Sequence, residues 1–165
     1  MDYRRFGDTL VVRMDKGEEI LQQLQAVCER EQVKLAQVSA LGAINEFTVG
    51  LFKTGEKRYC ANQFTGDHEI VSLTGTVTTQ QGAFYAHLHL AAGGADGSVV
   101  GGHLNRAVVS ATCEMVVDVL DGTVDRQYDP VTGLNLFSEL LFKNEKVRCA
   151  VSAQRTFVYS SSRRV

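Results

Sequence analysis

Three of the four histidines lie within residues 82–104, which read GAFYAHLHLAAGGADGSVVGGHL. His87 and His89 stand two apart in the strand-like run Ala83-Phe84-Tyr85-Ala86-His87-Leu88-His89-Leu90. Successive side chains of a strand point to opposite faces. Both histidines therefore share a face with Tyr85, while Phe84, Ala86, Leu88 and Leu90 share the other. A glycine-rich loop follows, with Gly93, Gly94 and Gly97, and then Val99-Val100-Gly101-Gly102-His103. If that segment returns as the neighbouring strand, His103 comes level with the pair. Three imidazoles converging from two strands have the form of a zinc site with an open fourth position. Gly101 and Gly102 would allow close backbone approach beside it. The same spacing also suits polar residues on a half-exposed sheet face, or a packed pocket of satisfied imidazoles. No Cys-x-x-Cys or His-Glu-x-x-His motif accompanies it.

A metal that worked on a substrate would need an acid or base nearby, and Glu114 is the most informative carboxylate. It interrupts residues 108–120, an almost unbroken apolar and β-branched run that predicts a central strand. A carboxylate inside a buried strand is costly unless paired or bound. Glu114 reads either as a general acid or base with a raised pKa, or as a strand position that is partly exposed or salt-bridged to Arg106. Arg106 could bind a substrate carboxylate in a fork. Tyr85 could orient a ligand from the histidine face.

These side chains need a frame. Residues 9–14 predict a first strand. A helix opens at Asp15-Lys16-Gly17, with Glu18 and Glu19 in its first turn, where the dipole favours acids. Its apolar stripe is Ile20, Leu21, Leu24, Val27 and Cys28, and it should fade near Gln32. Residues 33–41 predict a second strand ended by Gly42, and 43–53 a third. Gly55 turns into a fourth, 57–65, and Gly66-Asp67 into a fifth, 68–79. Gln80-Gln81-Gly82 then leads into the histidine strand. A short link, 104–106, precedes the central strand. Asp121-Gly122 is a turn, 123–129 a short strand and 129–133 a loop. Residues 134–142 read as helix or strand, 147–159 are poorly periodic, and 160–165 form a polar tail. Many short strands with glycine turns and one strong helix predict an α+β fold: a largely antiparallel β-sheet with the helix packed on it. Residues 1–142 are expected to form the domain, with 143–165 an extension of it.

At 165 residues the chain is long enough for one domain with a real core. A net charge of −2 argues against a broad nucleic-acid-binding face, which needs a lysine and arginine excess. The four cysteines, Cys28, Cys60, Cys113 and Cys149, are widely spaced in apolar or mixed segments, so buried free thiols and a reducing compartment are expected. The opening residues lack an apolar signal core, and no run of about 18 apolar residues exists to span a membrane. A cytoplasmic protein is the expectation.

Several of these segments together resemble a known family. Ser39-Ala40-Leu41-Gly42-Ala43, the strand Ala86-His87-Leu88-His89-Leu90, the run from Asp96 to Leu104 ending Gly101-Gly102-His103-Leu104, and Glu114-Met115-Val116-Val117 look like the PPC domain of plants and prokaryotes. The resemblance covers residues 5–140. It implies an antiparallel-sheet α+β domain that assembles as a homotrimer, with zinc on His87, His89 and His103. In plants the domain follows AT-hook motifs. No Arg-Gly-Arg-Pro core exists here, so the resemblance implies at most weak or indirect DNA binding. The fold is also similar to that of acetolactate decarboxylase, whose zinc is held by a comparable His-x-His pair and a later histidine.

Two functions are weighed. One is a trimeric regulatory or partner-binding module with a metal or small ligand in the histidine pocket. The other is a zinc lyase or hydrolase acting on a small oxygenated acid, with Glu114 and Arg106 as its catalytic residues and the metal as Lewis acid.

Overall fold

Period-two alternation of apolar residues runs through most of the chain. In the computed structural model, which describes residues 1–138, it produces a sheet of eight strands with one helix. In chain order these are β1 (Asp2–Phe6), β2 (Thr9–Asp15), α1 (Ile20–Arg30), β3 (Ala36–Lys53), β4 (Arg58–Gln80), β5 (Ala83–Gly93), β6 (Val99–Val119), β7 (Asp125–Asp129) and β8 (Leu134–Phe137). Every pairing is antiparallel except the short parallel contact of β4 with β7. The α+β architecture expected from the sequence is the one observed.

The helix forms for the reasons its sequence suggests. Ile20, Leu24, Val27 and Cys28, spaced for one helical face, are all buried, and α1 packs on β6 and β5. The start differs by a few residues from expectation. Glu19 is the cap rather than a first-turn residue, and its carboxylate accepts the Gln22 N–H at 2.8 Å. The end is a Schellman turn. Gln32 takes φ +55°, the Gln32 N–H donates to the Glu29 carbonyl, and the Val33 N–H donates to the Cys28 carbonyl.

The strands are fewer and longer than the glycines suggested. The expected strands 33–41 and 43–53 are one strand, β3, and the expected strands 57–65 and 68–79 are one strand, β4. The separating glycines sit at register shifts instead of turns: β3 and β4 slip between Ala40/Gly42 and again between Ile44/Glu46, opposite Gly66. Gly42 has φ +143°, and a Cβ there would lie 2.7 Å from Cys113 Cα on β6. It allows a bulge against a close neighbour, which is the second common use of glycine in a strand. Likewise the link expected at 104–106 lies inside β6. Residues 2–6, unassigned from sequence, form β1 beside β2.

Four strands close on themselves. β3 pairs β4, β4 pairs β5, β5 pairs β6, and β6 returns to β3. The closed surface encloses a core that includes Phe47, Leu73, Leu88, Val109, Met115 and Val117. Cys28 and Cys113 are free and buried, and burial pushes each thiol up to about 12. Cys60 is free and half-buried. Cys149, the segment 147–159 and the polar tail lie outside the described residues. Of 134–142, the described part is strand β8 followed by Ser138. No helix among the described residues is long and apolar enough to cross a membrane.

Candidate metal centre

The hairpin that carries the histidines begins with a two-residue turn. Gln81 and Gly82 both have positive φ, +53° and +79°, the pattern that matches strand twist in tight hairpins. It pairs Gln80 with Ala83 and so sets the register of β5 on β4, with Thr76 opposite His87 and Thr74 opposite His89. The second hairpin, β5 to β6, brings His103 directly opposite His89. β6 changes neighbours at this residue: His103 pairs with His89 on one side and with Gly50 of β3 on the other. Gly102 makes that corner possible, because a Cβ there would stand 2.6 Å from the Gly50 carbonyl oxygen. At Gly101 a Cβ would overlap the Leu90 carbonyl.

The three imidazoles converge. One nitrogen from each of His87, His89 and His103 lies within 4.8 Å of the others. The ring centroids are 5.1, 5.3 and 5.7 Å apart. Two nitrogens bound to one tetrahedral zinc at ~2.1 Å each would be ~3.4 Å apart, so the trio is near that spacing and somewhat open. Burial, with the charges of its neighbours added, lowers His87 to about 4. Burial also lowers His103, with His89 and Arg126 contributing. Both rings are therefore neutral at pH 7, the form in which imidazole binds a metal. None of the three rings has a hydrogen-bond partner among the described residues, and the donor set fits zinc.

The rings open into a cavity of about 380 Å³. Tyr59 stands at one side, edge-on to His103; its hydroxyl donates to Asn105 Oδ1 and lies 3.3 Å from the His103 carbonyl. Tyr85 lies on the histidine face as expected and also lines the cavity. Against its ring lies a residue that the sequence pattern does not single out. Arg126 on β7 is buried, with Nε donating to Thr78 Oγ1 at 2.9 Å and an Nη donating to the Asn135 carbonyl at 2.9 Å. Its guanidinium lies over the rings of Tyr85 and Phe137, 4.8 and 4.4 Å from their centroids. Nothing in Asp-Arg-Gln-Tyr-Asp singles out this arginine. Its partners come from β4, β5 and β8.

Glu114 and Arg106 do not join the site, and neither lines the cavity. β6 buries Cys113, Met115 and Val117 and turns Glu114 outward, so of the two readings the sequence offers, a buried acid or base and an exposed strand position, the structure has the exposed one, opposite Arg13 and Leu41. Arg106 is paired with Glu46 at 2.9 Å, both half-exposed, and not with Glu114. A cross-strand carboxylate from β3 was within reach, and a strand partner cannot be read from one segment alone.

The Plants and Prokaryotes Conserved (PCC) domain matches residues 1–121. A structure of a candidate DNA-binding protein from Bacteroides thetaiotaomicron superposes with a TM-score of 0.81 at 31% identity, covering 83% of this chain and 96% of that one. A metal-containing protein from Archaeoglobus fulgidus gives 0.75 at 29% identity, covering 84% and 99%. The bifunctional protein GlmU of Synechococcus sp. (strain JA-3-3Ab) is 30% identical over 125 residues, 74% of this chain. The chain spans about a fifth of that protein's length, 19%.

Proposed function

The chain belongs to the Plants and Prokaryotes Conserved (PCC) domain family, and from that membership we propose that it is a homotrimeric binding module holding zinc on His87, His89 and His103. The observation that carries the reading is the convergence on one cavity of three imidazoles without a hydrogen-bond partner among the described residues. The metal in the A. fulgidus relative supports it. Zinc held by three neutral imidazoles keeps a position open as a Lewis acid. The chain's part is to hold His87 and His103 neutral through burial, to fix His103 at the strand corner, and to limit what enters to small ligands.

A module is favoured over a lyase or hydrolase because no carboxylate among the described residues lines the cavity. Glu114, which would have to be the general acid or base, is exposed elsewhere on β6. A role near DNA, suggested by the B. thetaiotaomicron relative, is proposed as indirect, since the chain is net negative.

Elemental analysis tests the centre, on protein purified without chelator or metal-affinity resin beside His103→Ala. Near one zinc per chain, lost in the variant, is the expected result. Metal absent from the native protein, or retained in the variant, rejects the triad.

A further inference from the structure

Arg126 is the one charged side chain among the described residues that is buried, with 6% exposure. Buried charge is normally paired with opposite charge. Arg126 has no carboxylate partner among the described residues: its acceptors are Thr78 Oγ1, the Asn135 carbonyl and, at 3.4 Å, Thr76 Oγ1. A guanidinium has five N–H groups, so two are left without an acceptor among the described residues.

The place of those two groups follows from register. Thr76 is the cross-strand partner of His87, and Thr78 that of Tyr85. Directly opposed residues on one face are neighbours, so the guanidinium lies alongside His87, within the cavity lined by the three imidazoles. A divalent metal on neutral histidines would place two like-signed centres in one small cavity, with no carboxylate among the described residues lining it. A bound anion between them relieves that repulsion. The Arg126 guanidinium carbon lies 4.8 and 4.4 Å from the ring centroids of Tyr85 and Phe137, which hold it in place, and two remaining N–H groups suffice for a two-point contact with a carboxylate.

We propose that Arg126 anchors the carboxylate of a small ligand whose second oxygen, a hydroxyl or carbonyl next to the carboxylate, reaches the open position of the metal. The metal half rests on the zinc reading above; the anion half does not. Both Arg126 and Phe137 lie beyond the matched residues 1–121, so this wall is supplied from outside the family's matched core.

The test is calorimetric titration of glycolate into zinc-loaded and metal-free protein, for the native chain, Arg126→Lys and Arg126→Gln. The native zinc form is expected to bind glycolate. Arg126→Gln is expected to weaken it at least ~10-fold with zinc content unchanged, the usual scale for a charged hydrogen bond lost. Arg126→Lys should fall between, and uncharged methyl glycolate should bind at least ~10-fold more weakly than glycolate. Equal affinity in native protein and Arg126→Gln, with zinc retained, overturns the proposal. A native chain that takes up no zinc fails the triad alone: metal-free protein that binds glycolate, and loses it in Arg126→Gln, still upholds the arginine site. No glycolate binding in either form overturns it. Because Arg126 ties three strands together and its variants could unfold, the guanidinium resonances of native 15N-labelled protein give a second readout. They are expected to shift on saturation with glycolate, and unmoved resonances overturn the proposal.

Discussion

His87 links the site to stability through its proton. Its folded pKa of about 4 lies below the ordinary 6.5, with burial the largest cause. In metal-free protein the unfolded chain binds this proton first as pH falls. Between about 6.5 and 4 the unfolded state holds more protons, so stability is full above that window and is lost on descending through it. His87→Gln is expected to flatten this part of the profile, read as the urea midpoint against pH in chelator-treated protein; an unchanged slope would contradict the burial argument. At this scale the triad was legible in the sequence because strand alternation and a short hairpin are local rules. Arg126 was not, since what marks it as unusual is burial among Thr76, Thr78, Tyr85 and Phe137, and none of these is its neighbour in sequence. Glu114 was legible only in part. The apolar run identified the strand, but its outward face was hidden by Val108 and Val116, apolar residues that share that face with Glu114.

The elements show a different kind of ambiguity. The two histidine hairpins form where local pattern places them, and the helix does so apart from its first turn. Gly42 and Gly66 were read as ends of strands and proved to be interruptions within them, because one residue type serves turns and bulges alike and only the partner strand distinguishes the two. Gly102, next to His103, is the position of this kind that bears on the site. Gly102→Ala is expected to destabilise the fold by about 1–3 kcal/mol, by pushing β6 away from the Gly50 carbonyl, and to weaken metal binding by displacing His103. Gly55→Ala is the control, as nothing lies within 4 Å of a Cβ there; it should stay within ~0.5 kcal/mol. Equal denaturant midpoints for the two variants would remove the role assigned to the Gly102 corner.

For the whole molecule, the single chain leaves large apolar side chains in water. Leu41, Val71 and Val99 are exposed on β3, β4 and β6. Val99 pairs with Gly93, and a Cβ at Gly93 would touch Val71, so these two form part of one patch of the kind that associates. Light scattering is expected to give about three times 18.1 kDa, and Val71→Lys to shift the mass toward the monomer with the circular dichroism retained. A native monomer would reject the trimer. The closed circuit of β3, β4, β5 and β6 also has a bearing on time. His103 reaches its final position only when the β5 ladder and the β3 ladder are both complete, and the second of these joins residue 103 to residue 50. Long-range closures of this kind come late and slowly in folding. The expectation is that the trio is incomplete in the folding transition state, so that zinc slows unfolding more than it speeds folding. Folding and unfolding rates with and without zinc check this, and a folding rate raised in proportion to the gain in stability would contradict it.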